Sequence, residues 1–353
     1  MTAYSLLDLV PVREGGTLTE AFANAAAIAA HAESLGFTRY WVAEHHGMEG
    51  IASAATAVVL AHVGQATRTI RIGAGGIMLP NHSPLQIAEQ FGTLDALFPG
   101  RIDLGLGRAP GSDQRVAAAI RRGLANDPDG FPRDVIELQQ FLAGRDPGGV
   151  RATPGAGADV PLWILGSSLF GARLAAMLGL PYAFASHFAP AMLDEAIAIY
   201  RETFRPSAAL ARPHVMLGFN LFAADSDGEA EMLASSQQQA FVALRTTGRG
   251  IKLPPSVSLY RRGLSRGVQD MLDQVLAASA IGSPATVAEQ VAAFVKRTGA
   301  DELMLTSPIY AGTQAQPDDR RRGDGVAQDA SGSLSRTSSP PRSSLSSSPT
   351  VPP

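Results

Sequence analysis

Glu44-His45-His46 is a run of the chain where acid, base and metal-ligand side chains stand side by side. A metal ion needs such groups to converge on one point, but neighbouring side chains of an extended segment face opposite ways. No Asp or His at a helical four-residue spacing completes a ligand set. One imidazole acting as acid, base or hydrogen-bond donor fits this run, with a pair of structural histidines as the alternative. Gly73-Ala74-Gly75-Gly76 and Gly105-Leu106-Gly107-Arg108 invite a dinucleotide reading. That fingerprint needs Gly or Ala five residues after the first glycine, and those places hold Met78 and Pro110. Glycines here serve either tight turns or a flat ligand lying against the backbone. Gly166-Ser167-Ser168 closes an apolar run and opens one rich in Ala and Leu. N–H groups and hydroxyls at a helix start make an anion site, and an ordinary Ser cap is the alternative. Gly171 permits close approach on the first turn. Arg108 supplies a cation for a phosphate or a ring carbonyl, or else a surface ion pair.

These groups need a scaffold that gathers them. Short apolar or aromatic runs at Ser5–Asp8, Arg39–Ala43, Ile70–Ala74 and Arg101–Leu106 read as strands, as do Pro161–Leu165, Tyr182–Ala185, His214–Phe222 and Glu302–Thr306. Between most of them lie helical patterns. One opens at Thr17 with Glu20 spaced as a capping box, others run about Ala52–Gln65 and Pro84–Leu97, and the last spans Pro284–Arg297 with Gly299 as its stop. Eight strands alternating with helices over about 310 residues predict a (β/α)₈ TIM barrel with insertions after strands 4 and 7. A doubly wound sheet is the competing architecture. In a barrel the strand ends carry the chemistry, which places Asp8, Glu44-His45-His46, both glycine runs, Gly166-Ser167-Ser168 and Ser186-His187 on one face.

The 353 residues carry 45% hydrophobic and 17% charged residues, so a sizeable core can be buried and a disordered or fibrous chain is excluded. A net charge of −3 gives no broad basic footprint for nucleic acid. The absence of cysteine removes disulfides, iron–sulfur clusters and thiolate catalysis. No apolar run reaches the length of a membrane span, and Asp8 interrupts the start where a signal peptide would need apolar residues. A cytoplasmic location is expected. From Ala311 the composition changes; the last 23 residues hold ten Ser and five Pro and are expected to be disordered, because they cannot offset ordering entropy by burial. Domain bounds of 1–310 for the barrel and 311–353 for the tail follow. The barrel segment, with 24 basic against 28 acidic residues, is mildly acidic.

The text Tyr40-Trp41-Val42-Ala43-Glu44-His45-His46, Arg71 through His82, Pro99-Gly100-Arg101, Gly105 through Asp113 and Gly166-Ser167-Ser168 resembles the luciferase-like flavin-dependent monooxygenases, over roughly residues 3–310. The resemblance implies a (β/α)₈ barrel that binds reduced FMN, or in one branch a deazaflavin coenzyme, at its C-terminal mouth. It implies that His45 is catalytic, that Glu44 lies at the cofactor site, and that Gly75-Gly76 form a non-proline cis peptide beneath the flavin ring. By the same resemblance Arg108 contacts the flavin, and Gly166, Ser167, Ser168, Phe170 and Gly171 form the phosphate-binding turn; Asp113 and His187 are weaker matches. No metal is implied. The expected reaction uses reduced FMN and O₂, through a peroxyflavin, to oxygenate a small organic substrate. A separate flavin reductase and a homodimer are the expected partners. A deazaflavin-dependent hydride transfer and a catalytically silent flavin-binding paralogue are the alternatives. The chain departs from the family after Tyr310, where a barrel-covering helix gives way to the Ser/Pro/Arg-rich tail.

Overall fold

The computed structural model describes residues 2–108, 114–120 and 130–310. The Ser/Pro/Arg-rich tail and Asp113 lie outside them. Nine parallel strands form one sheet: β1 (Ala3–Asp8), β2 (Arg39–Val42), β3 (Arg71–Met78), β4 (Ile102–Gly107), β5 (Leu162–Gly166), β6 (Tyr182–Phe184), β7 (Val215–Ala223), β8 (Ser279–Gly282) and β9 (Glu302–Thr306). β1 through β7 pair in chain order, and β9 pairs with both β7 and β1, which closes an eight-stranded barrel. β8 is the strand that the sequence pattern did not separate from the insertion before it. It pairs with the outer half of β7, from Asn220 to Ala223, beyond the stretch of β7 that the three-residue β6 reaches.

Among the described residues ten α-helices accompany the strands: α1 (Leu18–Ser34), α2 (Thr56–Ala66), α3 (Pro84–Leu97), α4 (Gln114–Ile120), α5 (Phe131–Leu142), α6 (Leu169–Leu178), α7 (Leu193–Thr203), α8 (Asp227–Thr247), α9 (Arg266–Val275) and α10 (Pro284–Thr298). α4 and α5 belong to the insertion after β4, and α9 with β8 to the one after β7. None of the described helices is long and apolar enough to cross a membrane. The capping box forms: Thr17 Oγ1 accepts from Glu20 N–H at 3.2 Å, and the Glu20 carboxylate accepts from Thr17 N–H at 2.8 Å. α2 starts four residues later than the periodicity predicts. Ser53 is the reason, because its hydroxyl donates to Ala43 O at 2.5 Å and holds the preceding loop against the end of β2.

Glu33, on the last turn of α1, ties the helix to the start of β3. Its carboxylate accepts from the N–H groups of Arg68 and Ile70 at 2.9 and 2.8 Å, and also from Thr69. Its slight burial works against the charged form, but these bonds outweigh it and hold the acid down to about 2 from an ordinary 4.5. A depressed folded value contributes stability that is complete above the unfolded value and lost as pH falls through the folded one. Denaturant titrations should therefore show the advantage of wild type over Glu33→Gln shrinking as pH drops from about 4.5 towards 2. An advantage that stays constant across that range would contradict this.

Two layers fill the barrel below its mouth. At the N-terminal ends of the strands, Arg39 of β2 donates to Glu302 of β9 and to Asp103 of β4, both at 2.7 Å, and Arg71 of β3 closes on Asp103 at 2.7 Å. Ser5 of β1 donates to the same Glu302. Above them, the Trp41 and Trp163 rings meet edge to face at 5.3 Å, with the Arg39 guanidinium 4.9 Å from the Trp163 ring. Trp41 Nε1 donates to Asp103 at 3.3 Å, which couples the two layers. Gly73 makes room for this stack, because a Cβ there would come within 2.7 Å of Trp41 Nε1.

Candidate active site

Above the tryptophans the barrel opens into a small apolar pocket. Leu7, Trp41, Gly75, Met216 and Met304 line it from β1, β2, β3, β7 and β9, and His187 enters from the loop after β6. Strand alternation sets this lining: Leu7 follows Ser5, Trp41 follows Arg39 and Met304 follows Glu302 by two residues, so each stands one layer above a polar inward neighbour.

The wall at Gly75 is built from close backbone approach. The Gly75–Gly76 peptide is cis, and the pairing of β3 with β4 shifts register between Ala74 and Ile77. A Cβ on Gly75 would lie 2.7 Å from the Trp41 ring, and one on Gly76 would lie 2.6 Å from Gly105 O. The register shift frees Gly76 O, which accepts from the Glu44 N–H at 3.1 Å.

Glu44 and His46, two residues apart in an extended segment, meet on one side. The buried Glu44 carboxylate accepts from His46 Nε2 at 2.7 Å, His82 Nε2 at 3.0 Å and Met78 N–H at 2.9 Å, with Asn81 Nδ2 at 3.3 Å. Burial pushes its pKa up, but the bonds from His82, His46 and Met78 outweigh burial and hold it low. Glu44 thus bonds β3 just past the cis peptide, at Gly76 and at Met78, with its carboxylate committed to protein donors. His82, Asn81 and Met78 stood in the sequence without an assigned role; only contact across the barrel mouth links them to Glu44.

His45 sits within electrostatic reach of His187. The edge of the His187 ring opens on the pocket while Nδ1 is fully enclosed, and burial first, then the neighbouring His45, pushes its pKa down to about 4. His187 is therefore neutral at pH 7.

Asp8 does not join this face. Its carboxylate is buried between barrel and helices, where Tyr40 Oη donates to it at 2.5 Å and Val10 N–H at 2.7 Å. Burial raises its pKa against those two bonds, and its role is to pin the end of β1.

The Gly166-Ser167-Ser168 turn leads into the start of α6. Ser168 occupies the N-cap with extended backbone and makes no side-chain cap bond, and Ser167 and Ser168 are both exposed. The Arg108 guanidinium, just past β4, stacks 4.2 Å from the Phe170 ring on the first turn of α6. Gly171 is buried beside Tyr182, where a Cβ would lie 3.4 Å from the ring. The structure thus brings Arg108, Ser168, Phe170 and Gly171 together on the same barrel end as Gly166 and the glycine wall. An apolar cavity beside an open helix start and a stacked arginine fits a flat ring carrying a phosphate.

Comparison with known proteins agrees with this arrangement. A profile of the luciferase-like monooxygenases matches residues 4–302. A luciferase-like monooxygenase of Escherichia coli (strain K12) is 52% identical over 309 residues, covering 87% of this chain and 92% of that protein. The solved structure of apo-MsnO8 superposes with a TM-score of 0.82 at 30% identity, covering 95% and 99% of the two chains. The oxygenating constituent of 3,6-diketocamphane monooxygenase from Pseudomonas putida, solved in complex with FMN, shares the fold with a TM-score of 0.66 at 18% identity, covering 94% and 96%.

Proposed function

We propose a function on the premise that the chain belongs to the luciferase-like monooxygenase family: it binds reduced FMN at the barrel mouth and oxygenates a small organic substrate with O₂. The observation that carries this reading is the pairing of the glycine-walled apolar pocket with the Arg108–Phe170 stack at the open start of α6. The FMN complex of the shared-fold diketocamphane enzyme supports the choice of cofactor.

Bound reduced FMN supplies the two electrons that let one oxygen atom of O₂ enter the substrate while the other leaves as water. The chain's residues bind, orient and enclose. Arg108 pairs with the phosphate, and the exposed N–H groups at Ser168 add donors to it. Gly75 and Gly76 let the ring lie against backbone, and Glu44 holds that strand end in place at Gly76 and Met78. Leu7, Met216 and Met304 keep water from the reacting atoms. His45 takes or gives the proton the oxygenation requires, at its imidazole, while neutral His187 leaves that role undivided. The reduced cofactor comes from a separate flavin reductase.

Arg108 gives a direct check on phosphate recognition. Arg108→Ala should weaken reduced FMN binding about tenfold or more, from loss of a charge-assisted contact, and Arg108→Lys should recover only part of it. Riboflavin, which lacks the phosphate, should bind wild type and variant alike. The function itself is tested with ¹⁸O₂, reduced FMN and the probes decanal, 2-decanone and methyl octyl sulfide. One labelled oxygen in a product, formed only with reduced FMN, is the expected result. Hydride transfer from a reduced deazaflavin without oxygen uptake would replace it.

A further inference from the structure

Among the residues lining the pocket, His187 is the polar side chain whose ring nitrogens no bond within the described structure uses. The other polar edge there, Trp41 Nε1, is committed to Asp103. His187 is also held in one orientation. A Cβ on Gly218 would lie 2.0 Å from His187 Nδ1, so the Nδ1 edge of the ring points at the glycine of β7. Ser186 Oγ donates to Gly218 O at 2.6 Å, and Asn220 Nδ2 donates to His187 O at 2.9 Å, which fixes the loop on both sides of the ring.

This packing encloses Nδ1 and leaves Nε2 as the nitrogen that can meet a ligand. A neutral imidazole carries one N–H. On Nδ1 that donor would be buried with no acceptor, a costly arrangement, so the favoured tautomer carries it on Nε2. The pocket then offers one fixed donor in an apolar, methionine-lined chamber, with no charged side chain to receive a carboxylate or an ammonium group.

We propose that His187 is a specificity-determining residue, whose Nε2–H donates to the acceptor oxygen of an uncharged substrate with an apolar body. This deepens the oxygenase reading and rests on the substrate sharing this pocket with the flavin ring, on its His187 side. The inference does not require the cofactor to be bound, so it can be tested separately. The chain's only two tryptophans are Trp41, in the pocket wall, and Trp163 against it, so intrinsic fluorescence reports on occupancy.

The full-length protein without flavin is titrated with 2-octanone and with n-octane, and the ratio of the two dissociation constants is compared across variants. The ratio cancels differences in how the probes leave water. His187→Phe, which keeps a ring but removes the donor, should cut the preference for the ketone about fivefold, the worth of one neutral hydrogen bond. His187→Gln, which places an amide donor near the same point, should retain it within twofold. His187→Leu serves the same comparison if the Phe protein does not fold. An unchanged ratio in His187→Phe overturns the proposal, as does an equal loss in Phe and Gln. Weaker reduced-FMN binding with the ratio intact overturns it too and assigns the ring to the cofactor. Failure of the oxygenase reading would appear elsewhere, as normal ketone selectivity with no FMN-dependent oxygen uptake.

Discussion

Replacing His45 with alanine is expected to lower FMN-dependent oxygenation by 10²–10⁴-fold, the usual contribution of a positioned proton donor or acceptor, while reduced FMN binds within about threefold of wild type. His187 is enclosed against Gly218 and pushed down to about 4, so it stays neutral at working pH. His46 is tied to the Glu44 carboxylate. His45 is the member of the Glu44-His45-His46 run within electrostatic reach of the pocket-lining His187. The decisive comparison is product formed per reduced FMN oxidised. His45→Ala should still consume the reduced cofactor and release the oxygen unproductively. Full product yield from that variant would remove His45 from the chemistry.

Arg39→Leu is expected to cost about 3–5 kcal/mol of folding stability, because it leaves the buried carboxylates of Asp103 and Glu302 short of their shared partner. Arg71 still reaches Asp103, and His214 lies 3.4 Å from Glu302, so the loss falls most heavily on Glu302, which has Ser5 as its other neighbour. Burial disfavours the charged Glu302, yet the bonds from His214, Arg39 and Ser5 hold its pKa below the ordinary value. The stability this provides is complete above the unfolded value and fades as pH falls through the folded one. Denaturant melts at pH 7 measure the effect. A change below about 1 kcal/mol, within the range of a surface pair, would mean that the charged layer does not depend on Arg39.

The alternation of strands and helices was legible because its signals are local. A capping box at Thr17, proline at the start of α3 and α10, and a left-handed glycine at Gly299 each mark a boundary through their own backbone chemistry. β8 escaped notice because Ser279-Ala280-Ile281-Gly282 is too short and too weakly β-branched to stand out, and only the outer half of β7 makes it a strand. Barrel closure was likewise beyond strand counting, since it depends on β9 meeting β1.

The site was legible in outline and less so in detail. That polar and glycine residues gather at strand ends follows from the fold class, and the resemblance carried Gly75-Gly76, Arg108 and the Ser167-Ser168 turn to their positions. Four things required tertiary contact. Asp8 ends a strand as expected, but Tyr40 and Val10 hold it outside the mouth. Glu44 bonds two histidines and a strand end that lie 34 or more residues away, apart from its near neighbour His46. Arg39, Asp103 and Glu302 sit on strands where charge is unusual, and only the inward parity of three separate strands turns them into one network. His187 acquires its isolation from Gly218, a residue with no chemistry of its own.

The central claim is that the glycine-walled pocket and the Arg108–Ser168 corner together form a site for reduced FMN. Anaerobic equilibrium titration of the full-length protein with reduced FMN, and separately with a reduced deazaflavin coenzyme, tests it through the quenching of Trp41 and Trp163 emission. The account predicts saturable one-to-one binding of FMN, weakened in Arg108→Ala, with the deazaflavin bound more weakly. Absence of FMN binding, or preference for the deazaflavin, would contradict it.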